Sequence, residues 1–548
     1  MTIGEYLIEK LYCNGIRHIF GVPGDYVLGF YELLNQNKDK IQIINTCDEG
    51  GAGFAADAYA RVGGLGAVCI TYCVGGLKVI NTTAQAYAEK SPVIVISGAP
   101  GIKEREKNPL LHHKVKDFDT QKKLFEQITI ASTSLEDSQM AVKEIDRVFE
   151  TVLKFKRPGY IEIPRDKLNI NINQYLFSKN DKIEIQNKSD QHSLIHVIQE
   201  IVIKINSAKK PVILVDVEVH RFRLQDKVIA LSEKYNIPIA TTILGKSVVG
   251  EDHPLFIGVY EGAIGKKDVQ EYVESSDCLI MLGSFMTDVN LGMFTAQINQ
   301  ANSICCTSEK CNVGYHNYEN IDFEEFIDWL INSNDIKRKE NIVFLHNIKV
   351  NSLQITNNSI STKYTFECID NFLYTHNLLV IADVGDALFG STDLFIKNQT
   401  QFLSPAYYTS MGFGIPAGLG AQLNNKNLRS LIIVGDGAFQ MTGMELSTIV
   451  RYKLNPIVIV LNNNGYGTER HIQDGPYNDI LSWKYYRIPY ILGGGLGFEI
   501  KTEKELYNAL DESINNRKND LCLLEVKLSP LDRSSALDRF AKKLAEKI

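Results

Sequence analysis

Apolar residues at Ile3, Leu7, Ile8 and Leu11 fall on one face of a 3.6-residue period. Thr2 and Glu5 stand before that face as a capping-box pair, so the spacing predicts a helix that Gly15 ends. The pattern then changes to short apolar runs at 18–20, 41–45, 67–71, 92–97 and 159–163, with helical segments such as 51–60 between them. Short buried strands alternating with helices predict a mostly parallel sheet covered on both faces. A polar stretch at 169–191 interrupts the alternation. It resumes at 211–215, 237–241 and 278–282, stops over about 332–363, and returns at 378–382, 431–434 and 457–461. The reading is an α/β chain of three doubly wound parallel-sheet domains, at 1–180, 190–340 and 360–548.

Composition sharpens this only by exclusion. At 548 residues the chain is too long for one core. A net charge of −7 argues against nucleic acid or an anionic membrane as partner. Residues 1–10 carry Glu5 and Glu9 and no basic region before an apolar run, so no signal peptide is expected. The apolar runs are too short to span a bilayer. The ten cysteines follow no secreted-scaffold spacing, and the tight group Cys305, Cys306 and Cys311 lacks a histidine pair for zinc. Reduced thiols and a cytoplasmic location are expected.

The candidate chemistry begins where two strands end. Gly435-Asp436-Gly437 directly follows the run at 431–434, and Asn462-Asn463, separated from it by 24 residues, follows the run at 456–461. Loops at the carboxyl ends of parallel strands are where α/β folds bind ligands. A carboxylate, an amide oxygen and a carbonyl are hard donors suited to Mg²⁺, which keeps phosphate oxygens in its other positions. Glycines let the backbone approach a pyrophosphate, and a helix predicted from near Met441 turns its positive end toward it. Gly-Asp-Gly alone is a common turn; the pairing with Asn-Asn makes it specific. The pair resembles the thiamine-diphosphate signature. That resemblance implies Asp436 and Asn463 as magnesium ligands, with the carbonyl of Gly465 completing the set. It places Gly435, Gly437, Ala438 and Tyr466 around the cofactor.

Four further features resemble the branch of that superfamily that decarboxylates pyruvate, indolepyruvate and branched 2-oxo acids. They are Gly21-Val22-Pro23-Gly24-Asp25-Tyr26, Glu49 in Asp48-Glu49-Gly50-Gly51-Ala52, the pair His112-His113, and Glu469 in Asn464-Gly465-Tyr466-Gly467-Thr468-Glu469. The similarity runs over essentially the whole chain, in the family's motif order. It implies a pyrimidine-binding N-terminal domain, a middle domain and a pyrophosphate-binding C-terminal domain, in at least a homodimer. Loss of CO2 leaves electrons that need a sink, which the thiazolium ring provides. Glu49, by resemblance, bonds the pyrimidine nitrogen and promotes removal of the thiazolium C2 proton. Read without the family, Glu49 is also an ordinary helix-start carboxylate. Asp25, His112, His113 and Glu469 are titratable groups able to protonate the intermediate and release an aldehyde. Met411, in Ser410-Met411-Gly412, holds the place of the apolar residue beneath the folded cofactor; its bland alternative is a core methionine.

The pattern departs from the family at five places. Gly50-Gly51 replace a common Leu-Asn, Cys73 a glycine, Gly76 a glutamate, Ala438 a serine, and Thr468 a branched apolar residue. None removes a catalytic group, but Thr468 opens the choice of 2-oxo acid. Phe540 and Leu544, four apart on a helix expected at 535–547, are candidates to close the substrate pocket, with Leu388 and Phe389 as another wall. The rival readings are an acetolactate-synthase-like carboligase, against which the paired histidines weigh, and an NAD-dependent oxidoreductase. Neither 63–66 nor 493–495 meets the Gly-x-Gly-x-x-Gly pattern the latter needs.

Overall fold

The computed structural model describes residues 1–172, 188–340, 353–516 and 520–545, with side chains to residue 542. The first helix is Ile3–Cys13, and Thr2 and Glu5 form the expected capping box. Three sheets follow in chain order. The first contains β1 (His18–Gly21), β2 (Gln42–Asn45), β3 (Gly66–Ile70), β4 (Val93–Ala99), β5 (Ala131–Ser134) and β6 (Gly159–Pro164). Its order is β2-β1-β3-β4-β6-β5, with every pair parallel. The second contains β7 (Pro211–Val215), β8 (Ile239–Thr241), β9 (Phe256–Val259), β10 (Cys278–Leu282), β11 (Ser303–Cys306), β12 (Cys311–Val313) and β13 (His316–Tyr318). Its order is β13-β12-β11-β10-β7-β8-β9. The third contains β14 (Leu379–Ala382), β15 (Phe402–Leu403), β16 (Ser430–Gly435), β17 (Ile457–Asn462), β18 (Leu496–Ile500) and β19 (Cys522–Lys527), in the order β15-β14-β16-β17-β19-β18.

The first and third sheets share one winding, and each reverses direction after its first step. From β1 the chain steps out to β2, then returns past β1 to β3 and β4; from β14 it steps to β15, then returns to β16 and β17. Such reversals leave a crevice at the carboxyl ends of the strands. The second sheet departs from an all-parallel reading, because β11, β12 and β13 pair antiparallel. Cys306 faces Cys311 across that hairpin, and both remain thiols. The polar interruptions fall between sheets, although 173–187 and 341–352 lie outside the described residues. Among the described residues no helix is long and apolar enough to cross a membrane.

The three sheets are distributed over two compact units. One holds residues 1–172 together with Tyr408–Ser430 and Gln440–Pro456; the other holds the remaining described chain. In the first unit, helix Glu49–Gly63 is buried along nearly its whole length and is crossed by helix Gly414–Asn424. Small residues on both sides allow this. A Cβ added to Gly420 would lie 1.9 Å from the carbonyl oxygen of Ala55, so only glycine fits at the crossing. Phe54 and Phe413 meet edge to face beside it, centroids 5.9 Å apart.

In the second unit Asp216, after β7, is fully buried. It accepts hydrogen bonds from the amides of Val217 (2.6 Å) and Phe285 (2.7 Å) and from Asn290 Nδ2 (3.0 Å). Burial pushes its carboxyl up to about 7, against about 3.9 in an unfolded chain. A raised folded value favours the protonated form, so this group's contribution to stability is complete below about pH 4 and is lost as pH rises through about 7. Asp216→Asn stays neutral throughout. Relative to the parent it is expected to gain stability from pH 5 to pH 8, at up to about 1.4 kcal/mol per pH unit across the titration. Urea unfolding midpoints of both proteins at the two pH values measure this; an unchanged difference would mean no buried charge is being relieved.

Candidate active site

β16 and β17 lie side by side in parallel register, Gly435 opposite Leu461, so both motif loops leave the same end of the third sheet. The helix after β16 is Asp436–Thr442 and starts at Asp436 itself, not near Met441 as the sequence suggested. Asp436 has its carboxylate aimed back at the backbone: Oδ1 accepts from Gly437 N (2.8 Å) and Oδ2 from Gly465 N (3.2 Å). It is fully buried, and burial pushes its carboxyl up to about 6. A desolvated carboxylate of this kind is one that a divalent cation would return to its charged form. Asn462 and Asn463 have separate roles. Asn462 Nδ2 donates to Glu525 Oε1 (2.7 Å) and Ser482 Oγ (3.1 Å), fixing the strand end. Asn463 is half-buried beside Gly467.

The glycines of the motif divide the space. A Cβ on Gly437 would lie 2.6 Å from the Tyr466 ring, whereas one on Gly435 would meet nothing within 4 Å. The strand end therefore faces open space, walled by Tyr466 and the backbone at 435–438, with Ala438 buried behind it. Hard oxygen donors around a desolvated carboxylate, with room beside them, fit magnesium and a diphosphate. Asp436, Asn463 and Gly465 would hold the metal. Glu469 is exposed on the short helix Gly467–Ile472 that follows.

In the first unit the candidate acid–base residues sit beyond strand ends: Asp25 after β1, Glu49 after β2 and the histidines after β4, with Cys73 after the intervening β3. Glu49 is the first residue of its helix. Asp48 caps the helix by accepting from Gly50 N (2.8 Å). The carboxylate is largely buried, lies 3.3 Å from where a Cβ on Gly75 would be, and accepts from Lys78 Nζ (2.9 Å). Its helix-start position and its shielded setting therefore coexist. Met411 is half-buried rather than a core residue, next to Gly412, whose carbonyl accepts from Thr442 Oγ1 (2.7 Å).

Three departures from the family pattern have local causes that the sequence did not reveal. Glu445 Oε1 accepts from the amides of Cys47 (3.0 Å) and Asp48 (3.1 Å), and a Cβ on Gly51 would lie 2.3 Å from it. Gly51 is thus the space that Glu445 fills. Gln121 accounts for the other two: its Oε1 accepts from Cys73 N (2.6 Å), and a Cβ on Gly76 would lie 1.9 Å from it. Cys73 takes a left-handed φ of 53°, held by that bond and by packing against Tyr26, Tyr72 and Ala99.

His112 Nε2 lies 2.8 Å from Asp25 Oδ2 and His113 Nε2 3.7 Å from Asp25 Oδ1. Consecutive side chains normally diverge. Here His113 has φ 66°, and the turn brings both rings to one carboxylate at about 1–2 kcal/mol of backbone cost. Tyr26 stacks on His112 at 4.8 Å, and its hydroxyl lies 3.5 Å from His112 Nδ1.

The pocket candidates separate. Thr468 Oγ1 lies 3.3 Å from a Cβ position on Gly385, which starts helix Asp386–Thr392 with φ 85°. Phe389 on that helix stacks on Phe540 at 4.7 Å, and both pack with Ile264, Met293 and Leu537. Leu388 is buried in the core with Val380 and Leu431. The terminal helix is Ser535–Ala545, and the side chain of Leu544 lies outside the described residues. Asp386 is a partner the sequence did not flag: it accepts from Ser534 N (2.8 Å) and the Ser534 hydroxyl, tying this helix to the start of the terminal one.

Residues 1–124 match the thiamine pyrophosphate enzyme N-terminal TPP binding domain, 198–321 its central domain and 383–526 its C-terminal TPP binding domain. The chain is 33% identical over 526 residues to the indole-3-pyruvate decarboxylase of Azospirillum brasilense, covering 94% of each chain. It is 31% identical over 559 residues to the pyruvate decarboxylase of Aspergillus fumigatus, covering 100% of this chain and 97% of that one. Over 548 residues it is 30% identical to the alpha-keto-acid decarboxylase of Mycobacterium leprae, covering 98% and 94%. The chain belongs to the thiamine-pyrophosphate-dependent 2-oxo acid decarboxylases.

Proposed function

We propose that this protein decarboxylates a 2-oxo acid without oxidation, releasing an aldehyde and CO2, with Mg²⁺ and thiamine diphosphate bound. The observation that carries this over carboligation is the pair of histidines turned onto Asp25. When bound, the cofactor supplies the electron sink for the bond to CO2. The chain supplies the rest. Asp436, Asn463 and Gly465 would hold the metal, Gly435, Gly437, Ala438 and Tyr466 would surround the diphosphate, and Met411 would support the cofactor. Glu49 holds a proton at a shielded carboxylate, and His112, His113, Asp25 and Glu469 deliver the proton that completes the aldehyde. Three modules, at 1–180, 190–340 and 360–548, serve these roles in a cytoplasmic homodimer or dimer of dimers. The partner is a small 2-oxo acid, with neither nucleic acid nor membrane involved.

The test is aldehyde release from a panel of 2-oxo acids with thiamine diphosphate and Mg²⁺ present. His112→Ala, His113→Ala and Glu469→Gln are each expected to lose about 10²-fold or more in turnover. Full turnover in all three, or acyloin as the main product, would favour the carboligase.

Thr468 sets the substrate preference. Its hydroxyl abuts Gly385, and a larger side chain there would press on the start of the helix that carries Phe389. A methylene-sized change in such a pocket is worth about 1–3 kcal/mol, so Thr468→Ile should move kcat/KM toward pyruvate and away from longer 2-oxo acids by about 10-fold. An unchanged ratio would remove Thr468 from the pocket.

A further inference from the structure

Asp25, His112 and His113 each offer one ligand atom, and these atoms all lie within 4.8 Å of one another. We infer that this triad is a second metal site, one that captures a borderline cation such as Zn²⁺ and thereby switches the enzyme off. The inference deepens the proposed function and rests on the two histidines being its acid–base groups.

The geometry suits the ion. Zinc takes imidazole nitrogen and carboxylate oxygen at about 2.0–2.2 Å in a tetrahedron, whose ligand atoms are then about 3.3 Å apart. His112 Nε2 lies 2.8 Å from Asp25 Oδ2 and His113 Nε2 3.7 Å from Asp25 Oδ1, and one ligand atom from each of the three residues falls within 4.8 Å of the others. The left-handed turn at His113 has already brought the rings together, with centroids 4.7 Å apart. Loading the ion would draw the three ligand atoms closer by rotation of exposed side chains, and a fourth position stays open because Asp25 and His112 are exposed. The stacked Tyr26 ring restrains His112, as outer partners commonly orient a ligating imidazole. One cation opposes the site: Arg165 Nη1 lies 3.9 Å from Asp25 Oδ2. Its charge is matched by Glu104, which accepts from Arg165 through both carboxylate oxygens.

Donor type keeps the two metals apart. Asp436, Asn463 and Gly465 offer only oxygen, which Mg²⁺ accepts; the triad offers two imidazoles, which favour Zn²⁺ or Cu²⁺ and leave Mg²⁺ in water. A histidine whose Nε2 binds a metal can neither take nor give a proton there, so occupancy stops proton delivery while the cofactor site stays intact.

The experiment is calorimetric titration of Zn²⁺ into the full chain with Mg²⁺ in excess, without thiamine diphosphate or substrate. One Zn²⁺ per chain is expected in the parent and in Asp436→Ala. Asp25→Asn, His112→Gln and His113→Gln should each bind at least about 10-fold more weakly. Co²⁺ in place of Zn²⁺ should give a visible absorption band that the same three variants lose. In the parent holoenzyme, aldehyde release should fall as Zn²⁺ rises and return on adding a zinc-selective chelator with Mg²⁺ held in excess. Absence of binding, or equal affinity in the parent and all three variants, would overturn the site. Binding that left aldehyde release unaffected would overturn the switch. The binding measurement needs no turnover, so a chain that binds Zn²⁺ yet releases no aldehyde would count against the proposed function and leave the site standing.

Discussion

Glu49→Gln is expected to bind magnesium and thiamine diphosphate normally while turnover falls by at least about 10²-fold. The side chain lies at the first turn of a buried helix, against Gly75 and within 2.9 Å of Lys78. The amide keeps its size and most of these contacts, so the fold and the cofactor's place survive. It cannot hold or pass a proton, so the step that fails is activation at C2. Deuterium exchange at C2 of bound thiamine diphosphate, read by proton NMR after rapid quench, isolates that step. Exchange within a few-fold of the parent would refute the assignment.

Asp436→Ala carries an effect of similar size through a different route. Without the carboxylate the diphosphate loses its metal bridge, and affinity for thiamine diphosphate with Mg²⁺ should fall at least about 100-fold by isothermal titration. The apo-variant should nevertheless be no less heat-stable than the apo-parent. Asp436 is fully buried and raised to about 6, so in the absence of metal its charge is a burden on the fold. Only the stabilisation that ligand adds to the parent should vanish. Parent-like affinity would sink the metal assignment. If the chain forms a homodimer whose sites are shared between subunits, mixing the inactive Glu49→Gln and Asp436→Ala chains should restore part of the activity.

Much of the architecture was readable from runs such as 92–97 and 431–434, because strands buried on both faces leave unbroken apolar stretches. β5, with the sequence Ala-Ser-Thr-Ser, and the half-exposed edge strand β18 carry no such stretch and were missed. β19 was missed despite Cys522-Leu523-Leu524, since Glu525 and Lys527 break its run; Glu525 is buried there because it receives Asn462. The juxtaposition of Asp436 and Asn463 was legible because each directly follows an apolar strand, and the two strands are neighbours. The site was illegible where the partner is remote in sequence. Nothing near Gly51 announces Glu445, nothing near Gly76 announces Gln121, and nothing near Asp25 announces Arg165. Leu388 and Phe389 show the same limit at short range: adjacent apolar residues on one helix turn pack into different clusters.

The helix crossing at Gly420 also sets a timetable. The helix that begins at Glu49 packs against the helix at 414–424, and the Glu445 carboxylate accepts from the amides of Cys47 and Asp48 just before it; both partners are made more than 350 residues after Glu49. At about 5–20 residues per second, ribosomes need on the order of tens of seconds to supply them. Until then the newborn N-terminal segment exposes the alanine- and glycine-rich side of helix Glu49–Gly63. Glu49 has no fixed address until then. An N-terminal fragment cut at the first polar stretch would carry Asp25, Glu49 and both histidines and still lack the covering helix. Expressed alone it should aggregate or call on chaperones, and the fragment carrying 408–456 should rescue it in trans.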